Sequence, residues 1–568
     1  MARFLGSKPA SLAYILYIKS DTSKYKKFTI PKHSGGMRQL CAPLNELKLL
    51  QRRLADLLED CVDEINKANN RGDDDKHPDR IAHGFKRRRS IIANARRHRS
   101  RRYVFNVDIQ DFFGSINFGR VRGYFIADKN FQLRSEVATV LAKIACFENA
   151  LPQGSPSSPI ISNLIGHIVD IHVAKLCERV GCTYTRYADD LTFSTNKPMF
   201  PKQIATQSAG NEHSWLPGRE LSRIIAKCGF ALNPQKTRMQ YRDSRQEVTG
   251  LVVNSKINVR REYRHLVRAM VHRLFTTGDF YFEHGTVGQG GAATTQKTPG
   301  RPNQLHGMLG FIDGIDLHNR KITPTDKTLS TKELMYRRFL MFKELYTAPA
   351  PVVICEGKTD NVYITHAIRG LAAQYPKLAD INSSTGKISI KFRRFKYTGN
   401  STGRILGIGG GTGHFGRFIV SYKAEISRFK APGMKWPLML LIDNDSGREP
   451  IFNTIKSITG RKPDRSDPYV HIFGNLYLIT TPLHGGTQQS KIEDCFDDAT
   501  KNTVLDGKTF NPENEYNTRM HYGKVDFAYK VVKPNADSID FTEFKPIFDR
   551  FVSVLDEHAN RFGRPRSP

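Results

Sequence analysis

The chain has 568 residues, 39% of them hydrophobic, and carries 87 Lys plus Arg against 55 Asp plus Glu, a formal charge of +32. At about 150 residues per domain this length implies three or four units rather than one core. The charge points to a polyanionic partner. Apolar runs such as SLAYILYI and WPLMLLI are far too short to cross a bilayer, so nucleic acid is expected and a membrane is not.

No small-residue cleavage site follows the apolar run near the N-terminus, and a cytoplasmic protein is expected. The eight cysteines form no CxxC pair, which argues against both a zinc ribbon and a disulfide framework.

In chain order, the first unusual segment is KRRRSIIANARRHRSRR (86–102), with nine Lys or Arg among 17 residues and no acid. A solvated helix face would interleave acids, so this run reads as a surface that tracks phosphates. YVFNVDIQDFFGSI (103–116) follows, an apolar strand that meets an acid, Asp108, at its end. Phe113 lies where its ring can floor a sugar pocket and exclude a 2′-hydroxyl. LPQGSPSSPIISN (151–163) supplies a Gly-containing loop leading into a helix, suited to close backbone approach by a base pair and an incoming nucleotide.

RYADDLTFS (186–194) reads as strand, turn, strand. Tyr187, Leu191, Thr192 and Phe193 favour strands, and adjacent Asp189 and Asp190 serve one site only if the backbone turns there. Two unpaired carboxylates repel, and a divalent cation is the usual remedy. With Asp108 alongside, three carboxylates hold two Mg2+ ions. One lowers the pKa of an attacking hydroxyl and the other neutralises departing pyrophosphate.

Farther on, SKINVRREYRHLVRAMVHRLF (255–275) spaces Leu266, Met270 and Leu274 four apart, an amphipathic helix with cations opposite its apolar stripe. GTVGQGGAATTQKTPGRPN (285–303) reads as a flexible insertion. Helical patterning resumes at KELMYRRFLMFKELY, and TAPAP (347–351) marks a boundary.

Those residues and their order resemble the reverse transcriptases over roughly residues 25–345. The resemblance implies an α+β right-hand polymerase, with fingers and palm over 1–255 and a thumb over 256–346. In FTIPKHSGGMRQLCAP, Lys32 and Arg38 would bind the nucleotide triphosphate. Asp108, Asp189 and Asp190 would be the catalytic, metal-binding acids, and Phe113 the sugar gate. Gln153 and Gly154 would lie beneath the nascent base pair, and Lys236 in GFALNPQKTRM would donate a proton to pyrophosphate.

NARRH (94–98) fits an NAxxH element and VTG (248–250) a second triplet that together resemble retron enzymes. These make a branched RNA–DNA hybrid, msDNA, from dNTPs and their own structured noncoding RNA, primed by an internal 2′-hydroxyl. Asn94, His98, Val248, Thr249 and Gly250 are then expected to bind that RNA. No RNase H is evident, so template trimming would fall to a host RNase H.

Beyond the boundary, VVICEG and LMLLIDND lie about ninety residues apart with helical and Gly-rich stretches between, as strands of a parallel α/β sheet do. Glu356, Asp443 and Asp445 fall at strand ends, where such sheets gather ligands. GIGGGTGHFGR (407–417) reads as a phosphate-cradling segment or simply a loop. The order EGxxD, glycine-rich segment, DxD resembles the Toprim domain, over about 350–500. By that resemblance this part is a Rossmann-like parallel sheet in which Glu356 is the general acid/base. It and the two aspartates hold one or two Mg2+. IEDCF adds Glu493 and Asp494, completing the site or capping a helix. Residues 501–568 are expected to add a helix, IDFTEFKPIFDRFVSVL, and a basic tail.

The reading is a retron-type reverse transcriptase fused to a Toprim effector, a Mg2+-dependent nuclease acting in antiphage defence, with a homo-oligomer open. The rivals are a group II intron-like or diversity-generating reverse transcriptase, and a nucleic-acid-binding protein whose Toprim part is a non-catalytic scaffold.

Overall fold

The computed structural model describes residues 1–31, 36–68, 81–208, 211–287, 293–322, 328–397, 402–409, 412–513 and 515–563. The chain folds as two compact units, one of residues 1–261 with 315–323, the other of 262–314 with 324–568. Most of the segment expected as a thumb therefore belongs to the same unit as the C-terminal sheet.

The first unit opens with a hairpin of β1 (Tyr25–Pro31) and β2 (Met37–Pro43), then the long helix α1 (Asn45–Ala68) and the short helix α2 (Ile91–Arg97). Its centre is an antiparallel sheet of β3 (Tyr103–Ile109), β4 (Thr183–Tyr187), β5 (Asp190–Thr195) and β6 (Leu232–Tyr241) in the order β4-β5-β3-β6. Helix α3 (Ser158–Val180) enters before β4, and a small hairpin of β7 (Glu247–Val248) and β8 (Leu251–Val252) follows β6. By length and hydropathy α3 alone among the described residues matches a membrane span, which the short apolar runs noted above had not suggested. Ile161, Ile165, Val169, Val173 and Leu176 instead bury it in the core.

One acid lies on the buried face of that helix, Asp170, and its partner explains it. Asp170 and Arg186, on β4, are both fully buried and pair through two bonds, Nε to Oδ1 at 2.9 Å and Nη2 to Oδ2 at 2.7 Å. Tyr184 donates its hydroxyl to Asp170 Oδ1 at 2.9 Å. The remaining guanidinium nitrogen, Nη1, donates to Asn163 Oδ1 at 3.2 Å and to the carbonyl of Ala188 at 3.1 Å. Residues 81–84 run beside β4, with bonds from Arg186 N to the Ile81 carbonyl at 3.0 Å and from His83 N to the Arg186 carbonyl at 2.8 Å. Gly84 is required there, since a Cβ would stand 2.5 Å from Ala188 N.

The second unit contains α4 (Arg261–Thr277), the hairpin β9 (Tyr281–Val287) with β10 (Ala293–Pro299), and α5 (Thr331–Leu340). Helix α4 buries Val267, Met270, Val271, Leu274 and Phe275 but leaves Leu266 exposed, so the expected stripe was misplaced at Leu266. The inward face follows the i, i+3, i+4, i+7 spacing, which Val267 starts and Leu266 does not. Of the expected flexible insertion, 285–303, residues 288–292 lie outside the described residues, and on either side of them Tyr281 pairs with Pro299 and Val287 with Ala293.

Beyond these lies a five-stranded sheet of β11 (Val352–Cys355), β12 (Arg393–Arg394), β13 (Leu438–Ile442), β14 (Val470–Phe473) and β15 (Leu476–Thr480). The order is β12-β11-β13-β15-β14, parallel except for β14. Val353, Met439, Leu441, Tyr477 and Ile479 share one core with Tyr363 and Ile364 of α6 (Asp360–Gly370) and Phe548 and Phe551 of α9 (Lys545–Phe562). The intervening strand residues, including Ile354 and Leu440, are equally buried, as expected of a sheet covered on both faces. Between α6 and α9 the chain forms α7 (Thr412–Ile426) and α8 (Glu449–Thr459). Arg404 is held by Asp313 at 2.6 Å and Glu333 at 2.5 Å within this unit.

Asp170→Asn leaves a buried guanidinium without its counter-charge and is expected to cost about 3–5 kcal/mol, measured as a lowered urea midpoint of the first unit. The double change Asp170→Leu with Arg186→Met is expected to regain most of that stability. Equal loss in the single and double variants would contradict the pairing.

Candidate active sites

The first site is built where β3 and β5 meet. Asp108 stands opposite Asp190 in the antiparallel register, and Ile109 N donates to the Asp189 carbonyl at 2.9 Å. Tyr187 pairs with Asp190 across a two-residue turn of Ala188 and Asp189, with Ala188 at φ +57°. The turn therefore lies where the sequence placed it, and Asp108, Asp189 and Asp190 gather at one end of the sheet.

Their electrostatics show what the site lacks. Burial, then the charge of Asp108, raises the pKa of Asp189. Burial, then Asp189 and Asp108, pushes Asp190 up to about 6. The cation in contact is Lys236, whose Nζ lies 2.8 Å from Asp108 Oδ2, and Arg38 on β2 lowers Asp189 more weakly. As placed, no three acidic or ligating side chains among the described residues close into a metal shell. The donor set nevertheless suits a hard divalent cation, since oxygen donors are supplied, the crowding of the acids raises the pKa of both Asp189 and Asp190, and Lys236 stands against Asp108.

The surrounding residues fall into three groups. Gln153 and Gly154 lie against β2, with Cys41 N donating to the Gln153 carbonyl at 2.8 Å. Gly154 has φ +116°, and a Cβ there would approach Cys41 O to 3.1 Å. Phe113 is partly buried, with its ring against Phe112 at 5.7 Å and Phe85 at 6.3 Å. Lys32 lies outside the described residues.

Of the residues expected to bind RNA, Asn94, His98 and Val248 have no exposed surface in this structure. His98 accepts or donates to Ser194 Oγ at 2.8 Å and Thr185 Oγ1 at 2.7 Å, and so ties the end of α2 to the hairpin that carries Asp189. Burial, then Arg101 and Arg97, holds its pKa well below the usual histidine range, so the ring is neutral. Asn94 has neither amide atom hydrogen-bonded. Thr249 and Gly250 form the β7–β8 turn at φ +47° and +78°, and Thr249 Oγ1 donates to the Ile91 carbonyl at 3.3 Å. A polar cavity of about 550 Å3 is bounded by Asp190, Lys236, Arg238, Thr249 and Gly250. The residues that sequence reasoning missed are Arg186, Asp170 and Gly84. The signal for them was Asp170, an acid in the midst of an apolar stretch of helix.

The second site lies at the carboxyl ends of β11 and β13. Asp443 N donates to Glu356 Oε2 at 3.2 Å, and Asp443 Oδ1 accepts from Ile492 N at 3.0 Å. Asp445 Oδ1 accepts from Gly447 N at 2.8 Å. Asp360 is buried and accepts from Gly357 N at 2.7 Å, while buried Glu493 meets Lys524 Nζ at 3.0 Å. Of IEDCF, Glu493 thus faces the cluster and Asp494 caps Lys491 N at 2.7 Å.

Burial, then Asp445 and Asp360, pushes Glu356 up to about 7, an Asp443 backbone bond opposing it. Burial and then Asp360 and Glu493 raise Asp443 well above the carboxylate range. These oxygens also suit a hard cation. Asp360 and Lys524 were not nominated from sequence. In the glycine-rich segment, 410–411 lie outside the described residues, and Gly407 has φ +73°.

The reverse transcriptase (RNA-dependent DNA polymerase) family matches residues 30–255. The retron Ec86 reverse transcriptase of Escherichia coli is 31% identical over 317 residues, 55% of this chain and 83% of that protein. The chain belongs to the retron reverse transcriptases. The retron Mx65 and Mx162 reverse transcriptases of Myxococcus xanthus are 35% and 32% identical, covering 44% and 56% of this chain. This member of the retron family spans 56% and 63% of the length of those two relatives.

A carboxyl raised on folding keeps a proton that the unfolded chain has lost, so it withdraws stability as pH climbs between the two pKa values. For Asp190 that interval runs from its ordinary 3.8 to about 6. Relative to Asp190→Asn, the metal-free retron protein is expected to lose stability across it, and Mg2+ to remove the difference. Urea unfolding at about pH 4 and about pH 7 measures this, and parallel pH dependence in the two proteins would refute it.

Proposed function

We propose that the protein is an RNA-directed DNA polymerase that copies a cognate structured noncoding RNA into msDNA, starting from an internal 2′-hydroxyl. The observation that carries this reading is the opposition of Asp108 to Asp190 beside the Asp189 turn, in a chain of the retron family. Bound Mg2+ would lower the pKa of the attacking hydroxyl and neutralise the pyrophosphate that leaves. Asp108, Asp189 and Asp190 would hold two such ions. Lys236, held beside Asp108, is aimed to neutralise or protonate the leaving group once metal displaces it. Phe113 would exclude a 2′-hydroxyl on the incoming dNTP, Arg38 and Lys32 would bind its phosphates, and a host RNase H would trim the template.

For the second unit we propose a Toprim nuclease acting in antiphage defence. The support is the meeting of Glu356 with Asp443 at the ends of adjacent parallel strands. Glu356, near 7, is suited to take and return a proton, while Asp443 and Asp445 would hold one or two Mg2+.

The test is to purify the full chain from cells carrying its native locus and analyse bound nucleic acid with and without debranching enzyme. Asp189→Asn is expected to lose DNA synthesis by about a thousandfold or more, given the several kcal/mol that metal-held charge supplies. Short DNA joined to RNA through a 2′–5′ branch, absent in the variant, is the expected product; unbranched DNA would refute the priming step. In parallel, Glu356→Gln is expected to abolish Mg2+-dependent degradation of nucleic acid and leave DNA synthesis intact. Degradation that persists in Glu356→Gln but disappears in Asp189→Asn would overturn the assignment to the second unit.

A further inference from the structure

On the second unit, three elements bring cations together on a face with little counter-charge. Arg369 of α6 lies one helical turn beyond both Thr365 and His366, so the three share a face of that helix. Arg394 of β12 reaches the same face and donates from Nη1 to Thr365 Oγ1. The helical turn Phe527–Val532 packs on α6, with the Phe527 ring 6.0 Å from that of Tyr363, and Lys533 follows it directly.

No carboxylate among the described residues pairs with Arg369, Arg394 or Lys533. The neighbouring Arg393, by contrast, is held by Glu344 at 2.5 Å. Arg394 is half-buried, and its Nε is buried with no hydrogen-bond partner. Burial, then the charge of Arg369, lowers its pKa. His366 is lowered by burial, then by Arg369 and Lys533, with Arg394 adding to them and exposed Asp537 opposing.

β12 is an edge strand, where exposed cations commonly serve to block pairing with another chain. A guanidinium drawn partly out of water does not serve that end, and among like charges it is costly unless an anion joins it. Phosphate is the anion that suits a guanidinium fork, which gives its oxygens paired N–H bonds, while a lysine adds a point charge. Tyr529 is 53% exposed, with Lys533 Nζ 5.8 Å from its ring centre. An exposed ring beside cations is a platform for the bases of a single strand, which a free phosphate does not need.

We propose that Arg369, Arg394 and Lys533 hold a phosphate of a single nucleic-acid strand, with Tyr529 stacking on an adjacent base. The contact goes beyond both activities proposed above and uses none of their acids. Asp360 begins α6 and Arg369 stands nine residues later, about 14 Å along the helix at ~1.5 Å per residue. A strand held there is positioned by its backbone and its stacking, so the site is indifferent to sequence.

The test uses the full chain with EDTA present, so that no strand is cut. Modification of Arg369 by phenylglyoxal and of Lys533 by an acetylating N-hydroxysuccinimide ester is read peptide by peptide by mass spectrometry. Arg461, exposed and paired with Asp467 at 3.0 Å, is the internal control. A short mixed-sequence DNA single strand is expected to slow both modifications about fivefold or more at low salt, the effect fading as salt rises, and to leave Arg461 unchanged. Arg394→Gln and the surface change Lys533→Glu are each expected to abolish the protection of Arg369. Wild-type protein in which neither residue is protected, or protection of Arg369 that survives in Lys533→Glu, would overturn the proposal. So would equal protection by inorganic phosphate at the same phosphate concentration, since the occupant would then be a free anion. Protection by duplex DNA alone would overturn it too, because a duplex offers Tyr529 no unstacked base.

Discussion

The first unit depends on one buried ion pair. Arg186 and Asp170 are both without solvent contact, and such a pair adds little net stability over an apolar replacement, because the cost of drying both ions consumes most of their attraction. Its effect is positional. The guanidinium spends two nitrogens on Asp170 and its third on Asn163 and the Ala188 carbonyl, so helix, strand and turn are fixed by a single rigid plane. Asp189 follows Ala188 directly. A carboxylate that must meet another across a sheet within a fraction of an ångström is thereby set by groups several residues away from the chemistry.

A second device acts on the same hairpin from another side. The neutral His98 ring bridges Thr185 on β4 and Ser194 on β5, while Thr249 bonds the first carbonyl of the same short helix. Helix α2 is therefore a peg between the acid-bearing hairpin and the β7–β8 turn. Arg88, Arg96 and Arg102 of the 86–102 run are exposed, while Asn94, Ala95 and His98 of the same segment are buried. The second unit reaches a similar end by other means, since a parallel sheet delivers its acids at adjacent strand ends through topology alone.

The acids were legible in the sequence for a plain reason: each stands at the end of an apolar strand, where only a turn or a ligand explains it. The strand pair around Ala188 followed from Asp189 and Asp190 being adjacent, and the parallel sheet from two apolar runs separated by helical text. Arg186 was not legible, because beside two carboxylates an arginine reads as an ordinary surface cation. Its burial depends on Asp170, sixteen residues earlier, and on Gly84 far upstream. The burial of Asn94 and His98 was not legible because they sit among cations, although their spacing of four places them on one helix face, here the inward one. The β9–β10 hairpin was hidden by its glycines.

The strand order of the second sheet sets the sequence of events in its assembly. Glu356 and Asp443 are 87 residues apart, and the lysine that meets Glu493 lies 31 residues beyond that glutamate. Non-local pairing of this kind must wait for distant chain and is slow to form. On the ribosome, Asp108, Asp189 and Asp190 can be brought together while Lys524 is still unmade. The acidic centre of the second unit is thus completed late in synthesis, after the first unit has had time to fold.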